Sequence, residues 1–369
     1  MKEIKLKVKT LGGNYPIIIG NDLMLKIKKF LIKSSLESDK YLIVIDSKIS
    51  KSFINKIKKS LSYKQTFFLL FQSSEKNKNQ KSIDKIINTL FEKKFNRNDC
   101  IISVGGGITG DVVGFAASIF KRGIKFVNIP TTLLAQVDSS IGGKVGINDK
   151  KFGKNLIGSF YQPSLVITDT KFLETLPKRE VICGYAEILK HSLIANKNLF
   201  KFLDRNIDKI IGLKSPYIEK TIFKSCCIKK EVVEKDEKEK NLRKILNFGH
   251  TFAHAYESSL DYSKKLNHGE AVLIGMNSAI KFSFANNLIS KKNFHIINNH
   301  LNKNQISIDL KKFFSKKDVK KIISYMKTDK KNYSNRINLV LLKNISSPVY
   351  NLSFDTKRLS NFLSKELSY

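Results

Sequence analysis

Cysteine, proline and tryptophan are scarce in this sequence. Its 369 residues include 4 Cys, 6 Pro and no Trp. The cysteines show no C-x-x-C spacing, and Cys226 and Cys227 are adjacent, an arrangement that disfavours a disulfide framework. Because thiols in such a pattern are typical of a reducing compartment, we expect a cytoplasmic protein.

Long apolar runs are also missing. No stretch reaches the roughly 18 apolar residues that a membrane-spanning helix requires. Residues 1–6 alternate charged and apolar side chains, which is typical of a strand and not of a signal peptide. We therefore expect no secretion signal and no membrane partner.

Acidic residues are few in relation to basic ones. The chain carries 67 Lys and Arg against 32 Asp and Glu, which gives a formal net charge of +35. Nucleic-acid binding would account for such a charge, but the lysines are spread over the whole length and form no basic recognition motif. We therefore expect no nucleic-acid partner, and the charge would favour a small anionic substrate.

The first part of the chain alternates strand-like and helix-like patterns. An apolar run at 41–46 ends in Asp46 and precedes the helical spacing of Lys51–Leu61. The alternation continues through strand-like runs at 66–71, 100–104, 126–129 and 165–169 and helix-like stretches at 83–95 and 112–120. Strands that alternate with helices predict a Rossmann-like parallel α/β sheet.

After residue 170 the pattern becomes mainly helical. Helical spacing covers 179–203, Tyr217–Lys235, 250–260, 270–286 and 294–302, and the next buried-type strand is 336–341. We therefore predict an α/β domain at 1–170 and a mainly α-helical domain at 171–369.

A glycine cluster directly follows the strand-like run at 100–104. Gly105, Gly107 and Gly110 satisfy G-x-G-x-x-G between a strand and a helix, a pattern that brings backbone N–H groups to a phosphate. The acid that usually holds a ribose about 20 residues later is absent, because the next strand ends in Pro-Thr-Thr. Either the cluster is an unrelated tight turn, or Asp46 supplies the acid from upstream instead of only capping a helix.

Three histidines and one glutamate form a second pattern. His250 and His254 are four residues apart on one predicted helical face, His268 follows them, and Glu187 belongs to another helix. A carboxylate with two histidines and one open position is a catalytic zinc set. Spacing alone leaves open which two of the three histidines would join Glu187. The alternative is that the histidines bind no metal and are only solvated or cap helices.

The remaining candidates are cations and two outlying histidines. His295 and His300 stand among lysines and asparagines and are predicted to lie at the surface. Gly-Gly-Lys at 142–144 combines close backbone approach with a point charge that suits phosphate. Further cations and amides near small residues or shortly before His250 are Arg122, Lys154, Asn155, Lys229, Arg243 and Asn247.

Eight motifs stand in order along the chain. They are GGGITGD at 105–111, PTT at 130–132, QVDSSIGGK at 136–144, GKN at 153–155, TLPKRE at 175–180, GYAEILK at 184–190, NFGHT at 247–251 and HGEAV at 268–272. A shorter and less specific match, DKK, follows at 329–331. Together these motifs closely resemble the 3-dehydroquinate synthase family.

The resemblance implies a redox-neutral lyase of the shikimate pathway, which leads to chorismate and the aromatic amino acids. Such enzymes convert 3-deoxy-D-arabino-heptulosonate 7-phosphate into 3-dehydroquinate and phosphate, using NAD and a divalent metal, usually zinc or cobalt. The implied steps are transient oxidation by NAD, phosphate elimination, re-reduction, ring opening and intramolecular aldol closure. The resemblance also implies a homodimer with its active site in the cleft between the NAD-binding and metal-binding domains.

Site residues follow from the resemblance position by position. The implied metal ligands are Glu187, His250 and His268, while His254 matches a substrate-site residue. The implied NAD site comprises Asp46, Glu75, Lys78, Gly106, Gly107, Asp111, Thr131, Thr132, Lys144, Lys154, Phe172, Leu173, Glu174 and Thr175. The implied phosphate pocket comprises Lys144, Asn155, Asn247, His254, Lys331 and, from a neighbouring subunit, Arg122. Lys229 and Arg243 match the clamp for the substrate carboxylate, and Asp138 and Lys190 match further pocket positions.

The sequence departs from the family pattern near the implied NAD site. Lys48 and Ser74 replace an expected Asn and Gly, and the segment 144–154 is one residue longer than usual. We therefore expect local differences in the NAD contacts around Lys154 and Asn155.

Two other enzyme classes share the implied metal and NAD sites. A 2-deoxy-scyllo-inosose synthase acts on a hexose phosphate, which has no carboxylate for Lys229 and Arg243 to bind. A metal-dependent glycerol or alcohol dehydrogenase would not need these two cations together with Arg122 and Lys144.

Overall fold

The computed structural model describes residues 3–151, 153–303, 306, 309–328 and 336–368. The chain divides into two compact units, Met1–Pro177 with Ile218–Lys238 and Lys178–Tyr217 with Glu239–Tyr369. The segment 218–238 belongs to the first unit, although the sequence pattern grouped it with the second domain, because helical spacing does not reveal which unit a helix packs against. The domain boundary near residue 170 stays a prediction.

Strands and helices follow one another along the chain. The strands are β1 (Ile4–Thr10), β2 (Gly13–Gly20), β3 (Lys40–Asp46), β4 (Gln65–Phe71), β5 (Cys100–Gly105), β6 (Lys125–Pro130), β7 (Lys144–Asp149), β8 (Gly153–Phe160), β9 (Leu165–Asp169), β10 (Arg336–Asn344) and β11 (Ser347–Asp355). The helices are α1 (Ile27–Lys33), α2 (Lys51–Leu61), α3 (Gln80–Glu92), α4 (Gly107–Ile119), α5 (Lys178–Ala195), α6 (Lys197–Ile211), α7 (Tyr217–Lys235), α8 (His250–Ser259), α9 (His268–Ala285), α10 (Lys291–Leu301), α11 (Val319–Thr328) and α12 (Thr356–Glu366). Among the described residues, no helix combines the length and the apolar character that crossing a membrane requires.

A seven-stranded sheet forms the centre of the first unit. Its strand order is β1-β2-β9-β6-β5-β3-β4, and every neighbouring pair is parallel except β1 with β2. The prediction of a Rossmann-like parallel sheet is therefore confirmed. The antiparallel β7–β8 hairpin stands apart from this sheet and was not predicted, because the largely exposed β8 shows no buried apolar run.

Both faces of the sheet are covered, as the side chains of β3 show. Tyr41, Ile43 and Ile45 pack in one core with α1 and α2, while Leu42 and Val44 pack in the other with α3 and α4. A parallel strand that is buried on both faces has a continuous apolar run in its sequence, which is the pattern seen at 41–46.

The carboxyl ends of β3, β5 and β6 meet at one edge of the sheet. Ile45 is registered opposite Val104, and Val104 is registered opposite Ile129. Asp46 and the glycine cluster therefore follow neighbouring strands at the edge where parallel sheets bind ligands. Helix α4 begins at Gly107 and not near residue 112 as predicted. The sequence pattern missed this start because the glycine-rich first turn has low helix propensity.

The second unit is mainly helical, as predicted, and also contains the β10–β11 hairpin. The prediction of one helix over 179–203 is wrong. The chain leaves the helical conformation at Asn196, whose side chain accepts a hydrogen bond of 2.8 Å from the Leu199 N–H and so caps α6.

The prediction that His300 lies at the surface is also wrong. Its side chain is fully buried, whereas His295 is exposed as predicted. His300 Nε2 lies 2.9 Å from the Tyr185 hydroxyl, and His300 Nδ1 lies 2.8 Å from Asp204 Oδ1. The polar residues around His300 in the sequence occupy other faces of α10, so their composition does not indicate its burial.

Candidate active site

Three helices of the second unit carry the candidate metal ligands. Glu187 lies in the middle of α5, while His250 and His268 are the first residues of α8 and α9. Close packing brings the helices together, because a Cβ atom at Gly269 would overlap the backbone of Cys183 on α5. The Gly269 N–H donates to Cys183 Sγ at 3.1 Å, which holds the start of α9 on that helix.

The start of α8 is held against α9 in a similar way. Gly249, which precedes His250, has a φ of +78° that favours glycine. A Cβ atom there would lie 2.8 Å from the Met276 backbone nitrogen, so only glycine lets the two helices approach this closely. The local sequence thus places His250 beside His268.

Glu187, His250 and His268 form a compact donor set. One potential ligand atom from each lies within 4.8 Å of the others. His250 Nε2 is 3.6 Å from Glu187 Oε1, and the two imidazole rings are 5.7 Å apart between centroids. His254 lies beside the set, with its ring 5.4 Å from that of His250.

The Glu187 carboxylate fits a bound cation. Its side chain is 1% exposed, and neither oxygen accepts a well-formed hydrogen bond from the described residues. The buried Lys190 ammonium is in ion-pair contact with Oε2, which compensates part of the charge. A buried carboxylate without full hydrogen bonding is costly, and a metal ion would satisfy it.

The histidines also fit as metal ligands. Burial, with the nearby Lys190 charge, lowers the pKa of His250 well below 6.5, so this imidazole is neutral and keeps a lone pair. Burial alone would lower the pKa of His268, but the hydrogen bond and charge of Glu257 raise it above 6.5. One carboxylate and two imidazoles form a donor set that suits Zn²⁺ or Co²⁺.

Other predicted site residues of the second unit are buried or hydrogen-bonded. Lys190 and Arg243 are 2% and 3% exposed, which is unusual for cations and indicates a specific role. Asn247 Nδ2 donates to Glu239 Oε1 at 2.7 Å. Lys331 lies outside the described residues.

The glycine turn of the first unit is tightly packed at the sheet edge. Gly106 is the N-cap of α4, and Cβ atoms at Gly106 and Gly107 would lie 3.1 Å from Thr132 Cγ2 and 2.9 Å from Ser139 Oγ. The N–H groups of the first turn of α4 have no partner within the helix and so can face an anion. This geometry suits a pyrophosphate.

Asp46 and the threonines after β6 also have structural partners. Asp46 is 9% exposed, its Oδ1 accepts from the Lys48 N–H at 3.1 Å, and burial raises its pKa. Thr132 Oγ1 accepts from the Ala135 N–H at 3.2 Å, and the Thr131 N–H donates to Gly105 at 2.9 Å. Thr132 therefore caps the short helical turn after β6, whereas the alternative of Asp46 as a helix N-cap is wrong, because the N-cap of α2 is Ser50.

A buried lysine joins several residues of the implied NAD and phosphate sites. Lys78 is 4% exposed and donates to Asp111 Oδ2 at 2.5 Å and to Asn155 Oδ1. Asn148 extends the network, because its Oδ1 accepts from the Asn155 N–H at 3.0 Å and its Nδ2 donates to Glu75 at 2.7 Å. Burial raises the pKa of Asp111, and the Lys78 charge opposes this.

The other predicted residues of the first unit differ in exposure. Lys229 on α7 is 5% exposed, and its ammonium donates to Oδ1 and to the backbone oxygen of Asp138, both at 2.6 Å. Phe172 and Leu173 are buried, while Lys144, Arg122, Glu174 and Thr175 are exposed or partly exposed. Lys154 is half-buried, and its ammonium is 3.9 Å from Glu75 Oε1.

Sequence reasoning missed Glu239 and Glu257, which contact Asn247 and His268. Glu257 follows His250 and His254 at helical spacing, so its position on their face of α8 was predictable from the sequence. Glu239 belongs to a charged run at 231–240, where composition does not distinguish it from solvated neighbours.

Comparisons with known proteins agree with this geometry. Residues 68–183 match the family "3-dehydroquinate synthase N-terminal", and residues 184–332 match "3-dehydroquinate synthase C-terminal". The chain is 60% identical over 365 residues to a 3-dehydroquinate synthase of Pelagibacter ubique (strain HTCC1062), covering 99% of each chain.

Two solved structures share the fold. A 2-deoxy-scyllo-inosose synthase complexed with carbaglucose-6-phosphate, NAD⁺ and Co²⁺ has a TM-score of 0.87 at 27% identity, covering 98% of this chain and 99% of that one. A 2-epi-5-epi-valiolone synthase from Streptomyces hygroscopicus subsp. jinggangensis 5008, with NAD⁺ and Zn²⁺ bound, has a TM-score of 0.84 at 23% identity with the same coverage. Judged by the matched families and the Pelagibacter relative, the chain belongs to the 3-dehydroquinate synthase family.

Proposed function

We propose that this protein converts 3-deoxy-D-arabino-heptulosonate 7-phosphate into 3-dehydroquinate and phosphate, with NAD and Zn²⁺ or Co²⁺ as cofactors. The observation that supports this most directly is the compact donor set of Glu187, His250 and His268 in a chain that is 60% identical to a curated 3-dehydroquinate synthase. The reaction belongs to the shikimate pathway, and the free thiols of the described cysteines suit a cytoplasmic location.

The chain's own residues have separate tasks in this proposal. A bound metal would supply Lewis-acid polarisation of a substrate hydroxyl, and bound NAD would supply reversible hydride transfer. Glu187, His250 and His268 hold the metal, and Lys190 keeps Glu187 in place through its ion pair. In the first unit the glycine turn, Asp46 and the Lys78 network bind NAD.

Buried or tethered cations are assigned to the anionic groups of the substrate. Lys229 is held by Asp138 and Arg243 is buried, so both are preorganised for a carboxylate, which favours an acid over a hexose phosphate as substrate. Lys144, Asn155, Asn247 and His254 bind the phosphate, whose charge they stabilise as it leaves.

We further infer a homodimer in which Arg122 acts in the neighbouring subunit's site. Arg122 is exposed on a turn where Lys121, Arg122 and Gly123 all have positive φ. Elsewhere in the first unit, β8 exposes apolar side chains, with Leu156 61%, Ile157 40% and Phe160 44% exposed. Apolar exposure of this kind on one strand is typical of a surface that a partner covers.

Phosphate release tests the proposed reaction. The purified protein with NAD and Zn²⁺ or Co²⁺ should release phosphate from the heptulosonate 7-phosphate without net accumulation of NADH. Steady NADH formation would instead support a dehydrogenase, and turnover of a hexose 6-phosphate would support a 2-deoxy-scyllo-inosose synthase. A folded, metal-loaded sample that releases no phosphate contradicts the proposal.

A further inference from the structure

Glu257 is a buried carboxylate next to the candidate metal site. It lies on α8 seven residues after His250, and therefore on the same helical face. Its Oε2 atom is 3.2 Å from His268 Nδ1, and the residue is 8% exposed. We propose that Glu257 is a positioning residue that orients the His268 imidazole so that its other nitrogen binds a divalent metal.

The chemistry of the contact selects one form of the imidazole. An ionised carboxylate has no hydrogen to donate, so the hydrogen bond requires a hydrogen on Nδ1. The lone pair of a neutral His268 then stays on Nε2, the nitrogen that remains for the donor set with Glu187 and His250. Because the contact also restricts rotation of the ring, it lowers the cost of ordering the ligand when the metal binds.

The two histidines of the donor set are held by different groups. His250 Nδ1 lies 3.2 Å from the Phe248 backbone oxygen, a neutral acceptor that no substitution removes. His268 instead depends on a charged side chain, which makes its imidazole more basic and a stronger ligand. The affinity of the site for metal is therefore sensitive to residue 257 through His268.

Burial of Glu257 supports the same role. A buried carboxylate is unfavourable unless positive charge or hydrogen bonds compensate it. His268 supplies one such hydrogen bond, and a cation on the far side of the imidazole would polarise that N–H toward the carboxylate.

Metal affinity of the full-length protein tests the proposal. The dissociation constants for Zn²⁺ and Co²⁺ would be measured by competition with a chromophoric chelator, for the wild type and for Glu257→Gln. The amide still accepts a hydrogen bond but carries no charge, so we expect affinity to fall by about 10- to 100-fold. The visible absorption of the Co²⁺-loaded variant should also shift, because the ligand field of His268 changes.

Asp261→Asn is the matched control. Asp261 is exposed, lies four residues after Glu257, and has a φ of +52° that asparagine also adopts, so this substitution removes the same charge without touching His268. It should leave metal affinity unchanged. The unfolding temperature of the metal-free Glu257→Gln protein shows whether the substitution disturbs packing, and we expect a value close to that of the wild type.

The outcomes separate this proposal from the proposed function on which it rests. If the wild type binds neither metal, the donor set itself is wrong. If the wild type binds metal and Glu257→Gln binds it equally well, Glu257 does not position His268 while the proposed function stands. Equal losses in Glu257→Gln and Asp261→Asn would also overturn the proposal, because they would show an effect of overall charge.

Discussion

Single residues in the second unit have separable roles, and His254 and His268 show this most clearly. His268 belongs to the compact donor set, whereas His254 lies beside it. We expect His268→Ala to lose its metal on dialysis and His254→Ala to retain it while losing at least about 10²-fold in turnover, as for removal of a group that acts on substrate. Metal content by atomic emission, together with phosphate release, checks both. Loss of metal from His254→Ala would contradict this division of roles.

A buried histidine away from the donor set makes stability depend on pH. Burial lowers the pKa of His300 below 6.5, although Asp204 opposes this. Its neutral form donates from Nδ1 to Asp204 and accepts at Nε2 from Tyr185. Since the unfolded chain takes up a proton near pH 6.5 and the folded chain does so only at lower pH, this stabilisation is present above that pH and is lost on acidification.

Replacement of His300 by glutamine should therefore flatten the pH dependence of unfolding. Between about pH 7.5 and 5.5, a range around the ordinary histidine pKa, the variant's urea midpoint should fall less than that of the wild type. His295→Gln is the control, because His295 is exposed on the same helix and its replacement should leave the slope unchanged. Equal slopes for His300→Gln and the wild type would contradict the prediction.

At the scale of elements, the cap of α9 links helix stability to the metal site. The Asn267 side chain accepts from the Glu270 N–H at 2.9 Å, and Glu270 Oε2 accepts from the Asn267 N–H at 2.9 Å. Because His268 is the first residue of α9, a frayed start would displace a ligand. We expect Asn267→Ala to cost about 1 kcal/mol of unfolding free energy and to weaken Zn²⁺ binding.

The cap of α10 provides the comparison. Ser290 caps that helix by accepting from the Asn293 N–H, and it belongs to the same unit. Ser290→Ala should lower stability by a similar amount but leave Zn²⁺ affinity unchanged. Thermal unfolding and chelator competition on both variants measure the two effects, and equal loss of affinity in both would show that the cap acts only through global stability.

The bounds of helices were predictable where buried residues recur periodically. They were less predictable where glycine content or a capping side chain determines the end of the helix. The bounds of α2 and α7 agree with the sequence pattern to the residue, because each buries a regular apolar stripe. The glycine-rich start of α4 and the break at Asn196 were missed, since propensity and capping rather than periodicity determine them. The proximity of Asp46 to the glycine turn depends on the β3–β5 pairing, and strand order is not contained in local spacing.

For the whole molecule, the proposed homodimer leads to a specific test of where Arg122 acts. Arg122→Ala and His268→Ala should each be nearly inactive, the first for lack of a phosphate contact and the second for lack of metal. If Arg122 acts across the interface, a mixed dimer restores one site, which combines the intact metal ligands of one subunit with the intact Arg122 of the other. Unfolding and refolding a 1:1 mixture should therefore recover about a quarter of wild-type activity, since half of the dimers are mixed and each has one complete site.

A role of Arg122 within its own subunit predicts the opposite result. The mixed dimer would then contain no complete site, and the refolded mixture would stay inactive.

A third variant, Phe160→Glu, places a charge on the exposed apolar face of β8 and should give monomers by light scattering. Monomers would lack Arg122 in the site, so this variant should lose activity while retaining its metal, whereas a fully active monomer would show that each chain works alone.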